Sequence, residues 1–375
     1  IDKIYVLVRD KNGKQAFDRL RATRPEDLKK IVPVSGNVAK LDLGLSNDIL
    51  KVLVEEVSVV FHLAATVNFN VPLKEALEIN VNGTQEVIQL CRIIYLQALV
   101  HVSTAFSNSD RPEIDEVVYP LPVTLDYARK IAEQHSDDED FINKFLGKKP
   151  NTYTYSKAFA EEVIMNEGGD LPSAIVRPSI VISALKDPCP GWIDSWNGST
   201  GLFVGMPSGV LKVAIGRGHN VTDLIPVDIV TNLLIVAATR CQRYSSIQSS
   251  LHSVLRCNTY CLNKTLVAIH TVNPAPIIYL HLTTIPALII DLWALLTGKK
   301  AIQMQLQGRL RKIVQAVKFF LLNQWKFSDN NVKRLHMSLS PHDKELFGVD
   351  VTAINWNTCL QDYVLGARKY LLKKV

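Results

Sequence analysis

Residues 151–162 read NTYTYSKAFAEE. Tyr153 and Lys157 stand four residues apart, so a helix places both side chains on one face, one above the other. A free phenol has a pKa of about 10 and is a poor proton donor at neutral pH. An ammonium held beside it favours the phenolate and lowers that value. Such a pair can protonate an oxygen while the carbon it belongs to takes up hydride. In a chain with 11 Tyr the spacing alone also fits a tyrosine packed inward and a lysine left in water. The flanking sequence has to decide between the two.

Upstream of the pair, short apolar runs at residues 3–8 (KIYVLV), 30–35 (KIVPVS), 57–63 (VSVVFHL) and 98–103 (ALVHVS) read as buried strands. Between them, residues 14–23 and 47–54 have helical character, with Ser46 placed to cap the second. Residues 72–95 carry a longer apolar stripe through Leu73, Ala76, Leu77, Val87, Ile88 and Cys91. Residues 110–150, with Pro112, Pro120 and Pro122, read as an inserted loop with some helix. Downstream, residues 174–176 form a strand that ends at Arg177-Pro178. Strands alternating with helices predict a doubly wound, Rossmann-like parallel sheet with helices on both faces. Ligands of such sheets bind beyond the carboxyl ends of the strands. Arg9, Asn37, Ala64, Ala65, Ser103, Thr104, Pro178 and Ser179 all fall there, and the Tyr153 helix can face the same crevice.

The chain has 375 residues, long for one core, and predicts two domains. Its 47% hydrophobic and 21% charged residues are those of a folded protein. A net charge of +6 with no dense basic block outside the C-terminus disfavours nucleic acid and leaves a weak pull toward anionic ligands or membrane surfaces. None of the six cysteines forms a C-x-x-C pair, and Cys257 and Cys261 lack zinc-finger partners, so reduced thiols of an intracellular protein and no metal site are expected.

A dinucleotide fold usually opens with a strand and a glycine-rich turn that cradles the pyrophosphate at a helix N-terminus. No such glycine set is found in this sequence, and residues 3–8 followed by basic residues read as the second strand of such a fold. Arg9 and Lys11 can meet a ribose 2′-phosphate, which favours NADP over NAD, while Asp10 argues the other way. A solvated loop cation is an equal reading of Arg9.

From Val60 onward the chain closely resembles the fatty acyl-CoA reductases, an extended short-chain dehydrogenase/reductase family. The resemblance rests on FHLAATVNFN (61–70), INVNGTQEV (79–87), VHVSTAF (100–106), NTYTYSKAFAEEV (151–163), IVRPSIV (175–181), GWIDSWNGSTGL (191–202) and IPVDIVTN (225–232). It implies that Tyr153 and Lys157 are the catalytic pair and that the partner hydroxyl is Ser103 or Thr104. It implies that Asn80 positions the lysine through water, that Ala64 and Ala65 line the adenine–ribose side, and that Pro178, Ser179 and Ile180 lie along the nicotinamide. Asn37 stands where such proteins usually carry an adenine-binding aspartate. The resemblance also implies a G-x-x-G-x-x-G turn just upstream of Ile1, in which case the chain is N-terminally truncated and shows an apolar seam beside residues 3–8 and 57–63. GWIDSWNG, with Trp192 and Trp196, is read either as core aromatics or as part of an acyl-CoA pocket.

The implied activity is NADPH-dependent reduction of a long-chain fatty acyl-CoA to a primary alcohol through an aldehyde. The expected setting is intracellular, on a cytosol-facing peroxisomal or endoplasmic-reticulum membrane. The alternatives are a non-catalytic acyl-CoA-binding or membrane-associated relative, and a sterol or sugar dehydrogenase of the same extended class. The expected domains are an NADP-binding reductase domain at 1–270 and a mainly helical C-terminal domain at 271–375. Residues 244–272 depart from the family and carry no expected site. Residues 276–296 are apolar but are interrupted by Pro286 and carry His281 and Asp291, which predicts a buried or membrane-lying helix over a spanning one. The basic stretch 368–374 suits anionic headgroups or an ordinary exposed helix end.

Overall fold

The apolar runs form strands in the computed structural model, which describes residues 2–9, 28–196, 200–201, 214–215, 220–244, 253–256, 269–270 and 284–372. The chain divides into two compact units, each assembled from separated stretches of sequence. The first takes Ile1–Asn108, Val117–Arg177 and Val236–Leu255, and the second takes Ser109–Glu116, Pro178–Ile235 and Arg256–Val375. The helix read at 14–23 lies outside the described residues, as do Lys11 and most of 244–272, and the expected boundary at 270–271 borders them.

In the first unit β1 (Ile4–Val8) pairs in parallel with β2 (Ile31–Ser35), Ile4 opposite Ile31 and Val8 opposite Ser35. A separate four-stranded sheet contains β3 (Val59–His62), β4 (Ala98–Val102), β5 (Ser173–Arg177) and β6 (Ser253–Arg256), in the order β6-β5-β4-β3. The pairs β3–β4 and β4–β5 are parallel, with His62 opposite His101 and His101 opposite Ile175. This is the expected Rossmann-like architecture, with one difference. Among the described residues the sheet falls into two hydrogen-bonded pieces, β1–β2 and the four-stranded sheet that ends at β3. Ile4 on β1, Phe61 on β3 and Leu63 just after it are exposed.

The helices follow the predicted stripes. Ser46 caps α1 (Asn47–Glu56) by accepting from the Ile49 N–H at 3.4 Å. The stripe at 72–95 becomes α2 (Leu73–Leu77) and α3 (Gly83–Ile93), joined by one π-helical turn at Glu78–Asn82. The turn carries Asn80, and Gly83 follows it where an added Cβ would lie 3.0 Å from the Val38 carbonyl oxygen. The inserted segment supplies α4 (Leu125–Gln134) and α5 (Glu139–Leu146). α6 (Thr152–Glu167) begins at Asn151, whose side chain accepts from the Thr154 N–H at 2.9 Å. Leu77, Ile88, Phe159 and Ile164 pack with Leu99 and Ile175, clamping α2, α3 and α6 onto the sheet. Full burial of each such side chain contributes about 1.5–3 kcal/mol.

In the second unit Ile180–Ile182 pairs in parallel with Leu224–Pro226, and Lys326–Phe327 with Glu113–Ile114. α7 (Val227–Tyr244) begins there; its N-terminal Asp228 accepts from the backbone N–H groups of Leu185, Lys186 and Asp187. α8 (Ile285–Leu296), α9 (Gln303–Leu322) and α10 (Trp356–Gly366) follow. Pro286 occupies the first turn of α8, where a missing N–H is harmless. α10 packs closely on the loop at Gly191, which has φ +75°. A Cβ on Gly366 would lie 1.7 Å from the Gly191 carbonyl oxygen, so neither glycine can be replaced without moving backbone.

Candidate active site

α6 is buried on nearly every side, and its polar side chains go inward with partners. The Thr152 hydroxyl donates to the Val71 carbonyl at 2.9 Å and the Ser156 hydroxyl to the Tyr153 carbonyl at 3.0 Å. Lys157, 2% exposed, donates from Nζ to the Val102 carbonyl at the end of β4, at 2.6 Å. Burial lowers the Lys157 pKa to about 8, against an opposing pull from the Glu161 carboxylate. The ammonium is therefore the prevailing form at neutral pH. One of its three N–H donors is used on Val102, which leaves donors that suit the hydroxyls of a nicotinamide ribose.

Tyr153 keeps part of its surface open, and its ring centroid lies 5.5 Å from that of Phe69. Burial of the phenol pushes its pKa up to about 12, and a hydrogen bond with the Thr104 side chain pulls the other way. Burial is the larger of the two influences on this phenol, and the Lys157 ammonium donates to the end of β4. Tyr153 is thus a protonated phenol, the form that donates.

The structure separates the two hydroxyls that the sequence leaves open. Thr104 bonds Tyr153. Ser103 points the other way and donates to Glu161, as does Ser107 at 3.0 Å. Glu161 is 1% exposed and accepts two bonds from the fully buried Arg177, Nε to Oε1 at 2.8 Å and Nη2 to Oε2 at 2.6 Å. Arg177 also donates to the Val117 carbonyl at 2.7 Å. A buried pair of this kind survives because both charges are satisfied by short, forked hydrogen bonds. One ion pair thereby ties the end of β5, the loop after β4 and the middle of α6 together directly below Lys157.

Asn80 braces the same helix. Its Nδ2 donates to Ser156 Oγ at 2.9 Å, and its Oδ1 accepts from the Thr66 N–H at 2.8 Å. The amide reaches the residue before Lys157 and not the lysine itself. Two buried histidines lie beside this cluster. His62 shares a 3.0 Å hydrogen bond with Thr84, and its ring centroid is 5.1 Å from that of His101. Burial, with the Lys157 charge adding to it, pushes His62 down to about 3 and His101 well below its ordinary value. Both rings are neutral and put no second charge under the lysine.

The remaining expected residues are placed as follows. Arg9 is exposed at the end of β1. Ala64 and Ala65 follow β3, the first exposed and the second half-buried. Asn37 turns its Oδ1 onto the Ala39 N–H at 3.1 Å, so the acceptor oxygen it keeps is engaged locally. Pro178, Ser179 and Ile180 fall in the second unit, and the buried Ser179 hydroxyl has no hydrogen-bond partner among the described residues. In the same unit Trp196 is exposed, and the backbone N–H of half-buried Trp192 donates to the Cys189 carbonyl at 3.1 Å. Among the described residues no cluster of His, Cys, Asp and Glu could hold a metal ion. Glu161, Arg177, Ser107 and His101 were not legible as site residues. Glu161 stands four residues after Lys157, the same spacing that flagged Tyr153, and that is the one signal that pointed to it.

Residues 1–234 match the NAD-binding family model described as male sterility protein, and residues 282–374 match the Sterile model of the same description. Fatty acyl-CoA reductase 2 of Mus musculus is 35% identical over 412 residues, covering 99% of this chain and 79% of its own length. Fatty acyl-CoA reductase 1 of Rattus norvegicus is 34% identical over 418 residues, covering 100% and 80%. Among solved structures, the terminal R domain from the myxalamid PKS-NRPS biosynthetic pathway superposes with a TM-score of 0.62 at 19% identity, covering 98% of this chain and 84% of that one. The reductase (R) domain of a nonribosomal peptide synthetase from Mycobacterium tuberculosis does so at 0.61 and 16%, covering 98% and 85%. At those identities the structural likeness speaks for the fold.

Proposed function

The chain belongs to the fatty acyl-CoA reductase family, NAD(P)-dependent oxidoreductases, and from that premise we propose that it reduces long-chain fatty acyl-CoA to a primary alcohol with NADPH. The observation that carries the reading is the set Thr104, Tyr153 and Lys157, which joins the end of β4 to α6. Bound NADPH supplies the hydride for each of two reductions. In the first, Tyr153 and Thr104 donate hydrogen bonds to the thioester oxygen as negative charge develops there. The carbonyl then reforms, the C–S bond breaks, and CoA leaves as its thiolate, giving the aldehyde. In the second, the Tyr153 proton passes to the alkoxide oxygen, and the Lys157 ammonium stabilises the phenolate left behind. Lys157 holds the nicotinamide ribose through its remaining N–H donors. Glu161 keeps Lys157 charged and keeps Ser103 turned away from the substrate oxygen.

The match of residues 282–374 to the Sterile model favours this reading over a sterol or sugar dehydrogenase. A long-chain acyl substrate partitions into lipid, which favours work at a cytosol-facing membrane surface. The test is NADPH oxidation with palmitoyl-CoA together with detection of the alcohol. Tyr153→Phe is expected to lower turnover by about 10²–10⁴-fold while leaving the circular dichroism spectrum unchanged. Undiminished NADPH oxidation by that variant would sink the assignment. A wild-type chain that binds palmitoyl-CoA but neither binds nor oxidises NADPH would establish the non-catalytic reading in its place.

A further inference from the structure

α8 has its faces reversed. It turns Ala287, Asp291 and Ala294 inward, the smallest side chains it has and its single acid. The Asp291 carboxylate accepts from the N–H groups of Gln303 and Met304, both at 2.8 Å, and so closes the start of α9. The Met304 and Gln303 bonds hold its pKa below the usual carboxylate range. The seven large apolar side chains between Leu288 and Leu296 point outward and are 48% to 79% exposed. A water-facing helix normally shows the opposite pattern. An exposed apolar patch of this density marks an interaction surface.

The charge around α8 identifies what covers it. From residue 285 to 318 the chain carries six cations and one acid, and the acid is the inward Asp291. Lys299 and Lys300 follow α8 directly and are exposed, and Lys299 Nζ lies 5.4 Å from the Trp293 ring centroid. An aromatic with one end apolar, beside lysines whose stems can lie along lipid while their heads stay in water, suits a membrane–water boundary. α8 is 12 residues long, about 18 Å, against a hydrocarbon core of about 30 Å. Among the described residues no helix is long and apolar enough to cross.

We propose that α8 lies flat in the headgroup–acyl boundary of an anionic bilayer, its outer face inserted and Lys299 and Lys300 over the phosphates. The inference deepens the membrane part of the reading above, and its test needs no turnover. The full chain is floated with phosphatidylcholine vesicles with and without phosphatidylserine. It is expected to float with the phosphatidylserine vesicles and to be released in part by high salt. Leu292→Glu is expected to weaken that binding at least tenfold. Lys299→Glu with Lys300→Glu is expected to weaken it roughly tenfold on the anionic vesicles only. Brominated lipid is expected to quench emission in the wild type and to quench Trp293→Phe less. Circular dichroism shows that each variant is folded. Equal flotation of wild type and variants overturns the proposal. So does a wild type that stays in solution as a dimer which Leu292→Glu dissociates, because α8 is then an interface between copies. Loss of NADPH oxidation with flotation intact would count against the reductase reading and leave this one standing.

Discussion

α6 and α8 both depart from the usual helix, in opposite directions. α6 carries Thr, Ser, Lys and Glu into the interior, and α8 carries leucine, isoleucine and tryptophan out of it. The difference lies in compensation. Ser156, Lys157 and Glu161 of α6 each meet a specific donor or acceptor from another element, so their positions are dictated atom by atom. Among the described residues the outer face of α8 meets no such donor or acceptor, and apolar burial is non-directional, so its position is set by area. One helix should be intolerant of small changes and the other tolerant of large ones as long as the chain stays in water.

Several substitutions can break that contrast. The largest effect is expected at Glu161→Ala, which takes the forked carboxylate away from the Arg177 guanidinium at 0% exposure and should cost about 3–5 kcal/mol in denaturant unfolding. Next comes the choice between neighbouring hydroxyls. Thr104→Ala removes a donor from the reacting oxygen and should lower turnover about 10²–10³-fold with little change in stability. Ser103→Ala removes a bond to the carboxylate and should do the reverse, costing about 1.5–3 kcal/mol in stability while turnover holds. If the two variants behave alike, the separation of Ser103 from Thr104 is wrong.

A pH profile sharpens the same point. Lys157 binds its proton more weakly folded than unfolded, with the folded value near 8 against 10.5. Its burial therefore opposes folding below pH 8, and that opposition fades as pH rises from 8 toward 10.5. Activity that needs the ammonium runs the other way and should fall about tenfold per pH unit above pH 8. Rate and denaturation measured over that window should cross. The smallest effect is expected at Leu292→Gln, which in vesicle-free buffer should change stability by no more than about 0.5 kcal/mol.

Much of this was legible in the sequence. The strand runs at 3–8, 57–63 and 98–103 needed only apolar composition, and Ser46 announces α1 by capping. Ser103 and Thr104 could not be told apart, because two adjacent small hydroxyls at a strand end face opposite ways and only the three-dimensional partner shows which is which. Nothing local marks Glu161 and Arg177 as a pair; their pairing spans 16 positions, and the hydroxyl that completes it lies 58 positions away from Glu161. The π-helical turn at Glu78–Asn82 was invisible within a good amphipathic stripe. For α8 the composition was plain, but the direction it faces depends on which side Ala287, Asp291 and Ala294 take.

The break between β1–β2 and β3–β4–β5 also has a consequence for how the first unit opens. A parallel sheet hydrogen-bonded throughout would lose its amide protection as one block. Here β1 and β2 form a two-stranded ladder with Val34 as its only buried side chain, while β4 and β5 are almost wholly buried. The ladder can come apart without disturbing the strands that carry Ser103, Thr104 and Arg177. Amide hydrogens of Val6 and Val32 should exchange by local opening, and those of Val100 and Ile175 only when the unit unfolds.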